Sequence, residues 1–206
     1  MKNQVRIKIC GVTNLEDALV AAELGADAIG FVFYEKSPRY INPGAAAFII
    51  RELPPFVATV GVFVNEPPES VVDIAKAAGV GCIQLHGDET PEYCAAVGLR
   101  TIKALRVKDA SVLNKLRSFT VSAILLDTYR EGVPGGTGET FDWQIASEAA
   151  ATGRVILSGG LTPENVREAI DKVHPYAVDV SSGVEAKPGR KDHEKLRKFF
   201  EQVRTR

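Results

Sequence analysis

The sequence predicts an α/β protein built as a single-domain (β/α)8 TIM barrel over residues 1–206. Three observations carry that prediction. Strand-like and helix-like segments alternate with little interruption. Several strand candidates are apolar along most of their length, as strands buried on both faces tend to be. Glycines also recur at a module spacing: Gly25 to Gly79, and Gly98 to Gly153, are each about two β-α modules of roughly 27 residues.

The strand candidates are 5–10, 27–33, 57–64, 81–86, 100–106, 121–127, 154–157 and 177–180. Helical segments lie between them and after the last. Leu15, Ala18, Leu19 and Ala22 follow the i, i+3, i+4, i+7 pattern of one apolar face. Val166, Ala169, Ile170 and Val173 repeat it, and so do Leu196, Phe199, Phe200 and Val203. Thr13 and Glu16 have the spacing of a capping box at the first helix. Asn42-Pro43, Thr90-Pro91 and Thr162-Pro163 read as an N-cap followed by proline at the first helical position. Gly25, Gly79, Gly98 and Gly153 each lie where a helix can end in the left-handed conformation. A doubly wound open sheet accepts the same alternation, but it usually needs fewer strands, and the first turn lacks G-x-G-x-x-G.

Composition narrows the function. With 206 residues, 45% hydrophobic and 25% charged, the chain has ample material for one core. A net charge of −1 provides no bulk attraction to nucleic acid or to a membrane surface. No apolar run approaches the ~20 residues of a membrane span. The N-terminus runs into a strand without a signal-peptide apolar region. Three cysteines without C-x-x-C spacing indicate a reducing, cytoplasmic setting. The three histidines are far apart and form no helical metal pair.

Two residues stand out for chemistry. Cys10 ends the first strand and precedes Gly11, and Asp127 ends the sixth. In a parallel α/β fold that edge is where ligands bind. A thiol facing a carboxyl there points to a proton moved between atoms of one substrate. Taken alone, each has a plain structural reading, Cys10 as a small buried hydrophobe and Asp127 as a loop cap. Cys82 and Cys94 are read only as buried hydrophobes. Leu157-Ser158-Gly159-Gly160-Leu161-Thr162-Pro163 and Asp179-Val180-Ser181-Ser182-Gly183-Val184-Glu185 follow strands seven and eight, where barrels often hold phosphate. Arg39 can fork onto a carboxylate or remain a solvated side chain. His86 ends the fourth strand and either lines the site or bonds a loop. Gly135-Gly136-Thr137-Gly138 reads as a mobile lid.

These segments together resemble the phosphoribosylanthranilate isomerase family of tryptophan biosynthesis. The resemblance runs through Lys8-Ile9-Cys10-Gly11-Val12-Thr13, Gly30-Phe31-Val32-Phe33, Ser37-Pro38-Arg39-Tyr40 and Gly61-Val62-Phe63-Val64-Asn65. It continues with Gln84-Leu85-His86-Gly87, Leu126-Asp127, Gly135-Gly136-Thr137-Gly138 and the two late glycine-serine segments. It spans residues 8–185 in order.

The resemblance implies an Amadori rearrangement with Cys10 as general base and Asp127 as general acid. It implies that Arg39 holds the anthranilate carboxylate, with His86 also on the substrate. The backbone at Gly159, Gly160, Ser182 and Gly183 would hold phosphate, and Asp179 would bond a sugar hydroxyl. The protonated Schiff base is its own electron sink, so neither metal nor organic cofactor is expected. The implied partner is a small phosphorylated substrate, in a monomer or a homodimer. The histidine-pathway isomerase would need a carboxylate where Cys10 stands and a second phosphate loop. A metal-dependent epimerase would need several His and Asp ligands at strand ends. A catalytically silent barrel would bind its ligand without turnover.

Overall fold

A computed structural model describes residues 4–107, 109–127 and 143–205. The eight predicted strands all form. They are β1 (Arg6–Cys10), β2 (Ala28–Val32), β3 (Ala58–Phe63), β4 (Cys82–Leu85), β5 (Thr101–Arg106), β6 (Ala123–Asp127), β7 (Val155–Ser158) and β8 (Ala177–Val180). Each pairs in parallel with the next, and β8 returns to β1 through Lys8↔Asp179 and Ile9↔Val180, closing the barrel. Among the described residues eight helices cover it: α1 (Leu15–Glu23), α2 (Pro43–Glu52), α3 (Pro68–Ala78), α4 (Pro91–Ala96), α5 (Val112–Leu116), α6 (Trp143–Ala150), α7 (Val166–Val173) and α8 (His193–Arg204).

Side-chain alternation along the strands sorts the core into two layers. Ile7, Ile9, Phe31 and Leu157 point outward and pack under the helices with Val166, Phe199 and Phe200. Val60, Ile102, Leu125 and Ile156 fill the lumen. Cys82 belongs to the lumen cluster and Cys94 to the outer one, as small buried hydrophobes. The α7 and α8 stripes are buried as their periodicity predicts. On α1 the buried face is rotated to Asp17, Ala18 and Ala21. The Asp17 carboxylate turns that face inward by accepting from His193 Nε2 at 2.8 Å and Lys191 N at 2.8 Å.

Local chemistry corrects several expected caps. The N-cap of α1 is Asn14, whose side chain accepts from Asp17 N, while Thr13 Oγ1 donates to Gly189 O instead. Asn42 and Thr90 cap α2 and α4 as expected. Thr162-Pro163 opens a turn ahead of α7, which begins at Val166. Gly25, Gly79 and Gly98 take positive φ, but Gly153 does not. After β8 come a single 3-10 turn (Ser182–Val184) and a short antiparallel hairpin, β9 (Glu185–Lys187) with β10 (Arg190–Lys191), which the sequence did not announce. Among the described residues no helix is long and apolar enough to cross a membrane.

Candidate active site

The C-terminal strand ends open into a cleft of about 470 Å³. It gathers every described residue that the sequence nominates: Cys10, Arg39, His86, Asp127, Gly159, Gly160, Asp179, Ser182 and Gly183. Gly135, Gly136, Thr137 and Gly138, expected as a lid, lie outside the described residues.

One wall is built on β1 and β8. Alternation places Lys8 and Cys10 in the lumen between outward Ile7 and Ile9. Lys8 Nζ donates to Asp179 Oδ1 at 2.7 Å, and Ser158 Oγ donates to Asp179 Oδ2 at 3.1 Å. Both partners of the ion pair are buried. Burial pushes the Cys10 thiol above its ordinary pKa, while the Lys8 and Lys191 ammoniums pull it back. For Lys8, burial works against the charge, yet Asp179 and the Cys10 sulfur carry its pKa above the usual lysine range.

The opposite wall is built on β4 and β6. Gln84 Nε2 lies 3.0 Å from His86 Nδ1, and His86 Nε2 lies 3.1 Å from Asp127 Oδ2. With the amide donating to Nδ1, a neutral ring carries its proton on Nε2 and donates it to Asp127. The chain Gln84–His86–Asp127 thus orients the carboxyl at the strand end.

Arg39 is neither a solvated side chain nor open along its whole fork. Its Nε and Nη2 pair with Glu185 Oε1 and Oε2 at 2.8 and 2.6 Å, a bidentate arrangement. Glu185 also accepts from Lys191 Nζ at 3.0 Å. Burial works against the Glu185 charge, but the Arg39 and Lys191 cations hold its carboxyl below the usual range. Lys191 goes on to bond Cys10 O and Ser181 O, at 2.7 and 3.2 Å. The β9–β10 hairpin thereby ties the ends of β1 and β8 to the loop after β2.

The two glycine-serine loops meet. Gly159 and Gly160 have φ of 88° and 67°, a region in which other residues are strained. A Cβ at Gly183 would lie 1.9 Å from Leu161 O, so glycine is required for the loops to touch. Thr162 N donates to Asn165 Oδ1 and Glu164 N to Thr162 Oγ1, so side chains take up these donors ahead of α7.

Sequence reasoning passed over Lys8, Gln84, Glu185 and Lys191. The first two had a local signal: a charged or amide side chain inside an apolar strand, two positions before a nominated residue. Glu185 and Lys191 had none, since their partners come from loops distant in sequence. Among the described residues no three His, Cys, Asp or Glu side chains converge at metal distance.

The profile of the N-(5'-phosphoribosyl)anthranilate (PRA) isomerase family matches residues 7–202. A relative from Geobacter sulfurreducens, named N-(5'-phosphoribosyl)anthranilate isomerase, is 58% identical over 97% of this chain and 98% of its own. The crystal structure of phosphoribosyl anthranilate isomerase from Thermotoga maritima superposes with a TM-score of 0.89 at 51% identity, covering 97% of this chain and 98% of the other. A further isomerase structure holds reduced 1-(o-carboxyphenylamino)-1-deoxyribulose 5-phosphate. It matches with a TM-score of 0.86 at 49% identity, over 97% and 98% of the two chains.

Proposed function

The chain belongs to the N-(5'-phosphoribosyl)anthranilate isomerase family, and we propose that it converts N-(5'-phosphoribosyl)anthranilate to 1-(2-carboxyphenylamino)-1-deoxyribulose 5-phosphate in cytoplasmic tryptophan biosynthesis. The observation that carries this reading is one cleft with the Cys10 thiol on one wall and the Asp127 carboxyl on the other, flanked by the β7 and β8 loops.

In this reading Asp127 protonates the ribose ring oxygen. The C1–O bond breaks, and the anthranilate nitrogen supplies the electron pair of the resulting Schiff base. Cys10 removes the proton from C2, and those electrons move into the C1–C2 bond to give an enolamine. Return of a proton to C1 and loss of the C2 hydroxyl proton complete the ketose. Each acid or base contributes ~10²–10⁴-fold. The backbone of Gly159, Gly160, Ser182 and Gly183 binds the phosphate, away from the reacting carbons, and so fixes the sugar. Asp179 takes a sugar hydroxyl. Glu185 fixes the plane of Arg39, whose Nη1 side is left for the anthranilate carboxylate.

The test is loss of anthranilate fluorescence from freshly made phosphoribosylanthranilate in EDTA. Rapid catalytic decay is expected. No decay with phosphate-ligand binding intact would move the histidine-pathway substrate or a silent barrel to the front.

A further inference from the structure

The Cys10 thiol sits among charges that do not balance. Lys8 on its own strand, Lys191 on β10 and Arg39 in the loop after β2 are cations that act on it. Asp179 on β8 and Glu185 on β9 are the carboxylates paired with them. His86 and Asp127 belong to the opposite wall. Three cations face two carboxylates, and an ionised Cys10 brings the sum to zero. An uncompensated buried charge is costly, so these cations offset part of the burial that holds the thiol above its ordinary pKa.

Geometry identifies the cation that serves it. Lys191 spends its three donors on Cys10 O, Ser181 O and Glu185 Oε1. Arg39 turns an edge of its guanidinium to Glu185. Lys8 gives one hydrogen to Asp179, and no second hydrogen-bond partner occupies its ammonium among the described residues. Gly30 lies opposite Cys10 in the β1–β2 register. A Cβ there would stand 2.9 Å from Cys10 Sγ and 3.2 Å from Lys8 Nζ. Gly30 is absent from the positive-φ residues, so space between ammonium and thiol, rather than backbone conformation, calls for glycine.

We propose that Lys8 is the counter-ion of the Cys10 thiolate, held by Asp179 and given room by Gly30, and is therefore a positioning residue for the base. The proposal rests on the reading of Cys10 as general base. It explains how a buried thiol reaches its ionised form beside an anionic substrate.

The experiment follows iodoacetamide alkylation of the Cys10 peptide by mass spectrometry as a function of pH, beside the pH profile of kcat/KM. Lys8→Met is expected to raise the alkylation midpoint by about one unit, slowing alkylation roughly tenfold at neutral pH. The ascending limb of kcat/KM should rise with it. Gly30→Ala should move both the same way by less. Asp179→Asn removes the carboxylate that opposes the thiolate and should lower the midpoint, a sign that loss of structure does not produce. An unmoved midpoint in folded Lys8→Met overturns the proposal, and so does an unmoved midpoint in Gly30→Ala if the lysine variant fails to fold. A midpoint that moves without the kcat/KM limb keeps the ion pair and removes Cys10 as base.

Discussion

Lys8–Asp179 and Lys103–Glu89 are both buried ion pairs with an N–O distance of 2.7 Å, yet they face opposite sides of the barrel wall. Ile102 and Ala104 point into the lumen, so Lys103 between them points out. Its ammonium donates to Leu85 O, Gly87 O and Glu89 Oε2 at 3.3, 2.8 and 2.7 Å, which uses all three hydrogens. Glu89 in turn accepts from the backbone N–H groups of Asn65 and Gly87. That pair staples the loop carrying His86 and has no donor left for a ligand. Lys8 sits buried in the lumen, bonded to one carboxylate, and both that carboxylate and the neighbouring Cys10 line the cleft. Two pairs of the same chemistry thus differ in what remains unsatisfied. A closed set of bonds holds a loop, and an open one is available for reaction.

Variants on the two sides should break differently. The largest effect belongs to the cleft. Cys10→Ala or Asp127→Asn should each cut kcat by ~10²–10⁴-fold in steady-state turnover. Binding of a product analogue, read by calorimetry, should survive in both. Near-normal kcat in either would remove that residue from its role.

Next comes Lys103→Met, which leaves Glu89 charged and buried without its cation. Denaturant unfolding should show a loss of about 3–5 kcal/mol. Because Lys103 faces away from the lumen, the ascending limb of kcat/KM should stay at its parental pH, unlike that of Lys8→Met. A shift of that limb would erase the distinction between the pairs.

A smaller effect follows from the sign of the Cys10 shift. Its pKa is raised on folding, so the folded state binds the thiol proton more tightly than the unfolded chain. The thiol therefore costs no stability below the ordinary value of about 8.5 and penalises the fold as pH rises past it. Compared with the parent, Cys10→Ala should gain relative stability between pH 7 and pH 10 in paired unfolding curves. The order of the two proteins moving the other way would mean that the surrounding cations outweigh burial.

The smallest effect is the exposed reference. Lys172 pairs with Glu168 one helical turn away, and both are solvent-accessible. Lys172→Ala should cost at most about 0.5 kcal/mol from this pair. A loss approaching that of Lys103→Met would show that burial is not what separates these ion pairs.

The eight strands were legible because parallel strands buried on both faces read as apolar runs between punctuated helices. The α7 and α8 stripes were legible because amphipathic spacing maps directly onto one buried face. Cys10, Asp127 and the two glycine-serine loops were legible because barrel topology sends every strand end to one mouth. The α1 stripe was legible in part: Ala18 is buried and Leu15 and Ala22 pack against the core, while the Asp17 carboxylate is drawn inward by partners on the β10 strand and α8 that no local periodicity encodes. Thr162-Pro163 misled by a few residues because the Thr162 and Asn165 side chains close a turn before α7 starts.

Sequence by itself therefore determined the order of elements, the closure they imply and the positions at which chemistry could reside, because those follow from short-range periodicity and from a topological rule. Tertiary structure alone decided the electrostatics. It paired Arg39 with Glu185 across 146 positions and Lys8 with Asp179 across 171. It also made the missing side chain of Gly30 the space beside Cys10. Pairing across such separations depends on where strands and loops meet in space, and hydrophobic spacing along the chain carries no record of it.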